Sequence, residues 1–432
     1  MSADWRRNVW SGGSILYDTV MLKRAVGERY RETVAARRVT IVTGPRQSGK
    51  TTLVRSQLSS AATMRSLDEQ GVLDAALEDP VGFVALGGRP LVIDEVHRGG
   101  EPLVRAIKAR VDRDPSPGQF VLTGSSNFLT VPTISESLAG RAGFVEVWPF
   151  TQGELAGVSD RLVDLLFTGT AALAGYRPSG LSRGALLERI CTGGYPEVHE
   201  LPPRQRSGWF RDYVRTTIER DVVELSGIRK VAEMGQLLRL FAARSGCELV
   251  MQSVIADSTL ERQAVYDHRG WLETIHFLTT LPAWSRNLTR RVKKRPKVFV
   301  TDPGLAAWLI GKSPAALESP TEPATGRLVE TFVFAELRRQ LTWAATDVAL
   351  FHWQDRSGGE IDFVLESADG RVVALEVKAG QSPKREWFRW LERMRDIIGD
   401  SFIAGVALYS GQDVLPFGER LIAAPISALW EL

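Results

Sequence analysis

The feature that most constrains this chain is the segment GPRQSGKT, which runs from Gly44 to Thr51. It follows an apolar, β-branched run, Val39 to Val42, typical of a buried parallel strand, and it opens a predicted helix. Glycines let the backbone approach a phosphate closely, and the N–H groups of such a loop and of a helix N-terminus bind anions. A chance match in a turn is the alternative, against which the flanking strand and helix argue. The predicted phosphate-binding loop consists of Gly44, Pro45, Arg46, Gln47, Ser48, Gly49, Lys50, Thr51 and Thr52.

An acidic pair about forty residues later completes a predicted nucleotide site. The run LVIDEVH is an apolar strand that ends in Asp94 and Glu95. At such a site Lys50 reaches the β- and γ-phosphates, while Thr51 and Asp94 hold Mg²⁺. Glu95 then orients or deprotonates the attacking water. ATP and Mg²⁺ are therefore the predicted cofactors. His97 makes the motif similar to that of Asp-Glu-x-His helicases, but those need a second motor domain, for which the middle of the chain offers no strand pattern.

Two further features bear on the γ-phosphate. Small polar residues, Ser125, Ser126 and Asn127, follow the predicted strand Phe120–Leu122, where one of them could sense the phosphate; an ordinary polar strand exit is the alternative. Arg141 precedes a last strand, where an arginine in ring-forming ATPases reaches the nucleotide of a neighbouring subunit. A structural salt bridge is the other interpretation of Arg141. The predicted assembly is a homo-oligomer, with a ring as one form.

Length and composition set broad limits. With 432 residues the chain is expected to form several domains. It has 54 basic and 51 acidic residues, so any affinity for nucleic acid must come from a local patch. The two cysteines, Cys191 and Cys247, lack the neighbours of a zinc site and fit a reduced cytoplasm. No signal peptide or membrane-length apolar run occurs, so we expect a cytoplasmic protein without a membrane partner.

Several motifs together resemble one protein family. They occur in the order GPRQSGKTTL, LVIDEVH, LTGSSNF, SLAGR, GGYPE, IERDV and PKVFVTDPGL. This set resembles a family of prokaryotic AAA+-type ATPases that join the ATPase core to a domain of unknown function. The resemblance runs from about residue 20 to the C-terminus and implies a multidomain α/β protein. It implies an N-terminal extension (1–20), a P-loop AAA+ domain (21–155), a helical lid with a winged helix (156–300) and a PD-(D/E)XK nuclease-like domain (301–432).

The middle region predicts a DNA contact. Residues 235–281 are predicted to form successive short helices in the pattern of a winged helix. A basic run beside a helix-turn-helix can bind phosphates without sequence preference, whereas a solvated hairpin that pairs with acidic residues is the alternative. The basic residues of this run are Arg286, Arg290, Arg291, Lys293, Lys294, Arg295 and Lys297.

The C-terminal block predicts a second metal site. After a strong amphipathic helix from Gly326 to Gln340, Asp362 lies on one strand, and Glu376 and Lys378 lie two apart on the next, so they project from one face. Asp362 and Glu376 could ligate Mg²⁺, and Lys378 could activate water or stabilise developing charge. Glu330 matches an extra acidic position of the PD-(D/E)XK superfamily. Charges at every second position of an exposed strand are the ordinary alternative.

Two functional classes follow. In the first, ATP hydrolysis drives binding and remodelling or processing of DNA, with Mg²⁺-dependent cleavage at the C-terminal site. In the second, the chain is an ATP-driven regulatory switch or partner-binding protein, and its nuclease-like domain is an inactive scaffold.

Overall fold

The computed structural model describes residues 22–432 except 125–137, 159, 223–230, 288, 290, 292, 293 and 356. The expected N-terminal extension, residues 1–20, lies outside the described residues. Five residues with a predicted role also lie outside the described residues, namely Ser125, Ser126, Asn127, Arg290 and Lys293.

A five-stranded parallel sheet forms the N-terminal unit, in the strand order β2-β3-β4-β1-β5. Its strands are β1 (Val39–Thr43), β2 (Thr63–Ser66), β3 (Leu91–Asp94), β4 (Phe120–Thr123) and β5 (Ala142–Glu146). The helices are α1 (Gly27–Ala36), α2 (Lys50–Ser56), α3 (Gln70–Glu78), α4 (Pro80–Ala85) and α5 (Gly100–Arg113), with a 3₁₀ turn at Val96–Gly99. Separate apolar clusters cover the two faces of the sheet, as buried parallel strands require. The predicted parallel α/β core is confirmed.

The strand order determines where the candidate site forms. Strand β4 lies between β1 and β3, so the residues that follow these three strands meet at one edge of the sheet. Ligands of open parallel sheets bind at this carboxyl edge.

Short helices lead from the sheet to a second, smaller sheet. They are α6 (Gln152–Ala156), α7 (Leu162–Leu166), α8 (Ala171–Gly175), α9 (Arg183–Thr192) and α10 (Pro203–Thr217), with a 3₁₀ turn at Pro196–His199 and a π-helical turn at Ile218–Val222. Next come α11 (Val231–Ala242), β6 (Cys247–Glu248), α12 (Met251–Asp257), α13 (Arg262–Thr274), β7 (Leu278–Leu281) and β8 (Lys297–Val300). The three strands form an antiparallel sheet in the order β6-β8-β7.

The C-terminal part contains a six-stranded mixed sheet in the order β13-β14-β12-β11-β10-β9. Its strands are β9 (Val348–Gln354), β10 (Glu360–Ser367), β11 (Val372–Lys378), β12 (Phe402–Tyr409), β13 (Leu415–Gly418) and β14 (Leu421–Pro425). The helices are α14 (Pro303–Leu309), α15 (Pro314–Leu317), α16 (Ala324–Gln340), α17 (Arg389–Ile398) and α18 (Ala428–Glu431), with 3₁₀ turns at Arg385–Phe388 and Gly399–Ser401.

One hydrophobic core joins the middle and C-terminal parts. It extends from Leu162 to Trp430 and includes side chains of α9, β8, α16 and β11. Helix α16 is buried on most sides, because it packs against elements of both parts. The core therefore continues across residue 300, where the sequence suggested a domain boundary.

Candidate nucleotide site and C-terminal acidic cluster

The loop between β1 and α2 has the backbone that the glycines predict. Gly44 and Gly49 have φ angles of 141° and 92°, in the region that favours glycine. A Cβ atom at Gly44 would lie 2.1 Å from the carbonyl oxygen of Val147. The sharp turn therefore requires glycine at position 44.

Lys50 is held over this loop. Its side chain is buried, and its Nζ donates to the carbonyl oxygens of Gly44 at 3.0 Å and Pro45 at 2.7 Å. Such an ammonium group on the loop is placed to exchange carbonyl oxygens for the stronger acceptors of a phosphate.

Hydroxyl and carboxylate oxygens converge beside Lys50. The Thr51 hydroxyl donates to Asp94 Oδ1 at 3.2 Å, and the Thr123 hydroxyl at the end of β4 also donates to Asp94. Mg²⁺ prefers oxygen ligands and usually takes one or two carboxylates together with water and substrate phosphates. Thr51 and Asp94 fit this ion. Sequence reasoning missed Thr123, although it is the first residue of the TGSSN motif.

Glu95 follows Asp94 and has a strained backbone conformation. Its φ angle of 54° is left-handed, a conformation that costs a non-glycine residue about 1–2 kcal/mol. Burial raises the pKa of its carboxyl group, and the nearby His97 opposes this shift. His97 Nδ1 lies 3.3 Å from Glu95 Oε2. Strain of this kind is often found at active sites, and a raised pKa suits a carboxylate that accepts a proton from water.

A cavity of about 460 Å³ opens in front of these residues. Its lining comes from two parts of the chain: Arg46, Lys50 and Thr51 belong to the predicted phosphate-binding loop, whereas Tyr213 and Arg220 belong to α10 and the π-helical turn that follows it. We call the part of the lining that α10 and this turn provide the far wall; Thr216 and Thr217 also belong to it.

Two contacts tie the far wall to the ATPase unit. The Tyr213 hydroxyl lies 3.2 Å from the Arg46 carbonyl oxygen. Arg220 pairs with Asp68 at 3.1 Å, and Asp68 also pairs with Arg98 at 2.8 Å. Sequence reasoning assigned no role to Tyr213 or Arg220, although Arg220 lies within the IERDV motif.

Arg141 lies away from this chain's own nucleotide site. It precedes β5, which pairs with β1 in parallel from Val39 opposite Ala142, so Arg141 is at the amino edge of the sheet. Across the five residues of β5 the distance to the loop edge is about 15 Å. Arg141 forms an ion pair with Asp112 and donates to the Ala139 carbonyl oxygen at 3.1 Å. The structure thus contains a salt bridge of Arg141, which is one of the two interpretations of this residue.

The four residues of the predicted C-terminal metal site come together. Asp362 Oδ2 accepts a hydrogen bond from the Val377 amide at 2.8 Å, and Glu376 forms an ion pair with Lys378. Burial, then Asp362, raises the pKa of Glu376 to about 8. Burial and Asp362 likewise raise the pKa of Glu330. Among the described residues, however, no group of three or more His, Cys, Asp or Glu side chains is arranged to hold a metal ion.

Lys297 is the unexpected member of this cluster. It was predicted to contact DNA phosphates, but its side chain is 1% exposed and its Nζ lies 2.7 Å from Glu330 Oε1 and 3.3 Å from Asp362 Oδ1. Burial alone would lower its pKa, but the surrounding carboxylates outweigh burial and raise it. The prediction of a phosphate contact is therefore wrong for Lys297, because the folded chain supplies its anionic partners.

Other residues of the basic run also have partners within the chain. Arg291 pairs with Glu366 at 2.6 Å, and Lys294 donates to the Gln354 carbonyl oxygen at 2.7 Å. Arg286 and Arg295 are exposed. Arg291 and Lys294 thus contact the C-terminal sheet rather than projecting into solvent.

Comparison with known families matches residues 36–156 to a model described as an AAA domain. This match supports an AAA+-type ATPase. Residues 183–316 and 325–429 match two domains of unknown function, DUF8612 and DUF4143. These matches assign neither a winged helix nor a nuclease to the remaining chain.

Similar proteins add little about function. Uncharacterized proteins of Mycobacterium bovis and Mycobacterium tuberculosis are each 28% identical over 415 residues, covering 93% of this chain and 83% of the relative. The Walker-type ATPase of Pyrococcus abyssi has 15% identity and a TM-score of 0.42, over 67% of this chain and 96% of that chain. RuvB T158V of Thermotoga maritima has 18% identity and a TM-score of 0.28, over 62% and 93%. Similarities this low carry no functional inference.

In the part of the chain that the structure describes, no helix has both the length and the apolar character needed to cross a membrane.

Proposed function

We propose that this protein hydrolyses ATP and acts as an ATP-driven switch, in which the far wall responds to the bound nucleotide. Lys50 would bind the β- and γ-phosphates, and Thr51 with Asp94 would hold Mg²⁺. The metal ion, when bound, supplies positive charge against the phosphate oxygens. Glu95 is the residue that orients or deprotonates the attacking water. The match to an AAA domain supports hydrolysis.

The observation that carries the switch is the composition of the cleft. Its two walls come from distant parts of the sequence, the loop around Lys50 and the segment that contains Tyr213 and Arg220. A nucleotide between them contacts both, so its affinity depends on how the walls are arranged. A ligand shifts a conformational equilibrium only through such a difference in affinity between states. Arg220 is the far-wall cation that we assign to the nucleotide phosphates.

The switch has two candidate outputs, a regulatory or partner-binding role and an action on DNA. Three residues of the basic run, Arg291, Lys294 and Lys297, contact partners within the chain. Because this leaves fewer basic groups for DNA, it supports a regulatory or partner-binding role. DNA is the second candidate, supported by the exposed side chains of Arg286 and Arg295.

The arrangement of the middle region bears on the DNA candidate. The order of its helices and the β6-β8-β7 sheet support our assignment of a winged helix within residues 156–300. In α13, however, Arg262 and Arg269 are balanced by Asp267 and Glu273. This helix therefore offers little of the net positive charge that drives non-specific binding to DNA.

Our proposals for the C-terminal unit, the assembly and the location each depend on a separate observation. The β9-β10-β11 strands with α16 and α17 support a PD-(D/E)XK-like fold, which we propose as a scaffold. We also propose a homo-oligomer, because Arg141 lies before β5, where an arginine of ring-forming ATPases reaches the nucleotide of a neighbouring subunit. The free thiols of Cys191 and Cys247 support a cytoplasmic location.

The test is the rate of ATP hydrolysis with and without duplex DNA, measured at low and high salt. A switch without a DNA output hydrolyses ATP at the same rate with and without DNA at each salt concentration. The DNA candidate predicts stimulation that falls with salt and is reduced in the Arg286→Ala, Arg295→Ala double variant. Salt-sensitive stimulation that this double variant abolishes would contradict the partner-binding role and favour DNA.

A further inference from the structure

The C-terminal acidic cluster is built around a buried lysine. Lys297 is the first residue of β8, and its side chain is almost completely buried. Its Nζ contacts Glu330 and Asp362, at 2.7 and 3.3 Å, and forms a third ion pair with Glu360. Lysine is rarely buried unless it is paired, and here its three hydrogens face three carboxylates.

We infer that the ammonium group of Lys297 is the resident cation of this cluster, so that the chain in this conformation takes up no divalent metal ion there. The residues suit a cation, as the sequence predicted, but the protein itself provides it.

The hydrogen-bonding of the carboxylates supports this inference. Asp362 uses Oδ1 for Lys297 and Oδ2 for the Val377 amide. Glu376 uses Oε1 for Lys378. Glu376 Oε2 is buried without a hydrogen-bond partner among the described residues, but the carboxylate oxygens of Glu330 and Asp362 that a metal ion would need beside it are paired with Lys297. A second cation would also be repelled by the ammonium group at close range.

The cation comes from a different part of the chain than the carboxylates. Strand β8 pairs with β6 and β7 of the small sheet, whereas Glu330 lies on α16 and Asp362 on β10. The packing of β8 against α16 therefore brings the cation and its carboxylates together. Removing the charge of Lys297 by substitution should therefore convert the cluster into a site for a hard divalent cation.

Mn²⁺ binding tests this inference, because free and bound Mn²⁺ differ in their electron paramagnetic resonance signal. The titration uses the full chain without nucleotide and carries Asp94→Asn, which removes the carboxylate at the nucleotide site. Lys297→Met, Lys297→Met with Asp362→Asn, Asp362→Asn alone and Arg295→Met are compared in this background. Arg295→Met is the matched control, because it removes an exposed positive charge from the same run.

We expect no stoichiometric Mn²⁺ in the background chain or in Arg295→Met, and one Mn²⁺ per chain in Lys297→Met. Adding Asp362→Asn should abolish that uptake. The inference is overturned if the background chain already binds one Mn²⁺ that Asp362→Asn removes, or if a folded Lys297→Met chain, checked by circular dichroism, takes up none. If Lys297→Met does not fold, the inference is tested by comparing Mn²⁺ binding of the background chain with that of its Asp362→Asn variant. Absence of stoichiometric Mn²⁺ in the background chain then supports the inference, and one Mn²⁺ that Asp362→Asn removes overturns it.

Discussion

Arg220 provides the sharpest test of the switch. It lines the nucleotide cavity, and its side chain is 49% exposed and pairs with the 48% exposed Asp68 at 3.1 Å. An exposed ion pair of this kind contributes about 0–1 kcal/mol to stability. A hydrogen bond to a charged phosphate contributes about 1.5–3 kcal/mol. Arg220→Ala should therefore leave the melting temperature nearly unchanged but weaken ATP binding by about ten- to a hundredfold.

Arg98→Ala is the matched control for this prediction. Arg98 pairs with the same carboxylate, Asp68, at 2.8 Å but is not among the residues that line the cavity. Its removal should leave the affinity for ATP within about twofold of the wild type, because the loss concerns only an exposed ion pair. The assay is equilibrium binding of a fluorescent ATP analogue, with thermal unfolding measured in parallel. Equal affinities of Arg220→Ala and the wild type would refute the assignment of Arg220 to the phosphates.

Three further predictions concern catalysis, assembly and pH. Lys50→Ala should lose nucleotide binding, whereas Glu95→Gln should keep binding but lose turnover by about 10²–10⁴-fold, so full turnover in Glu95→Gln would exclude a role in the chemical step. If Arg141 acts on a neighbour's nucleotide, mixtures of inactive Arg141→Ala and Glu95→Gln chains should regain activity, and no rescue at any ratio would count against it. Burial raises the pKa of Asp160 to about 7, so the stability that its protonated form provides is present below pH 4 and is lost as the pH rises towards 7. The melting temperature of Asp160→Asn should fall less than that of the wild type between pH 5 and 7; parallel curves would contradict the shift.

The nucleotide site could be predicted from the sequence because its determinants are local. The loop, its lysine and its glycines occupy one short segment, and the apolar, β-branched run before it is typical of a buried strand. Asp94 and Glu95 were found for the same reason, since they end another apolar strand. The contact of Asp94 with Thr51 then follows from the parallel sheet, which places the ends of β1 and β3 on the same edge.

The far wall and the lysine could not be predicted, because both depend on contacts between distant residues. Tyr213 and Arg46 are 167 positions apart, and no periodicity links them. Lys297 is 33 positions from Glu330 and 65 from Asp362. In the sequence Lys297 is one of several basic residues in a polar run, a pattern that normally indicates solvent exposure. Only the packing of β8 against α16 shows that it differs from its neighbours.

A buried polar network connects the phosphate-binding loop to α16. Arg24 donates to the Ser48 carbonyl oxygen at 2.7 Å and pairs with Glu154 at 3.0 Å. Two residues before Glu154, the Gln152 amide donates to Glu336 of α16 at 3.0 Å. Each carboxylate in this series is buried, so the loss of a partner leaves an unpaired charge in the interior, which is costly.

Arg339 extends the network into the C-terminal part. Its guanidinium group pairs with Glu336 and Asp302, both at 3.1 Å, and donates to the Phe150 carbonyl oxygen at 2.8 Å. Asp302 in turn accepts from the amides of Gly194, Gly304 and Leu305. A change at the loop that displaces Arg24 without Glu154 would break a buried ion pair, at a cost of about 3–5 kcal/mol. Because concerted movement avoids that cost, the ATPase unit and α16 should shift as linked bodies, and α16 carries Glu330 of the cluster that Lys297 fills.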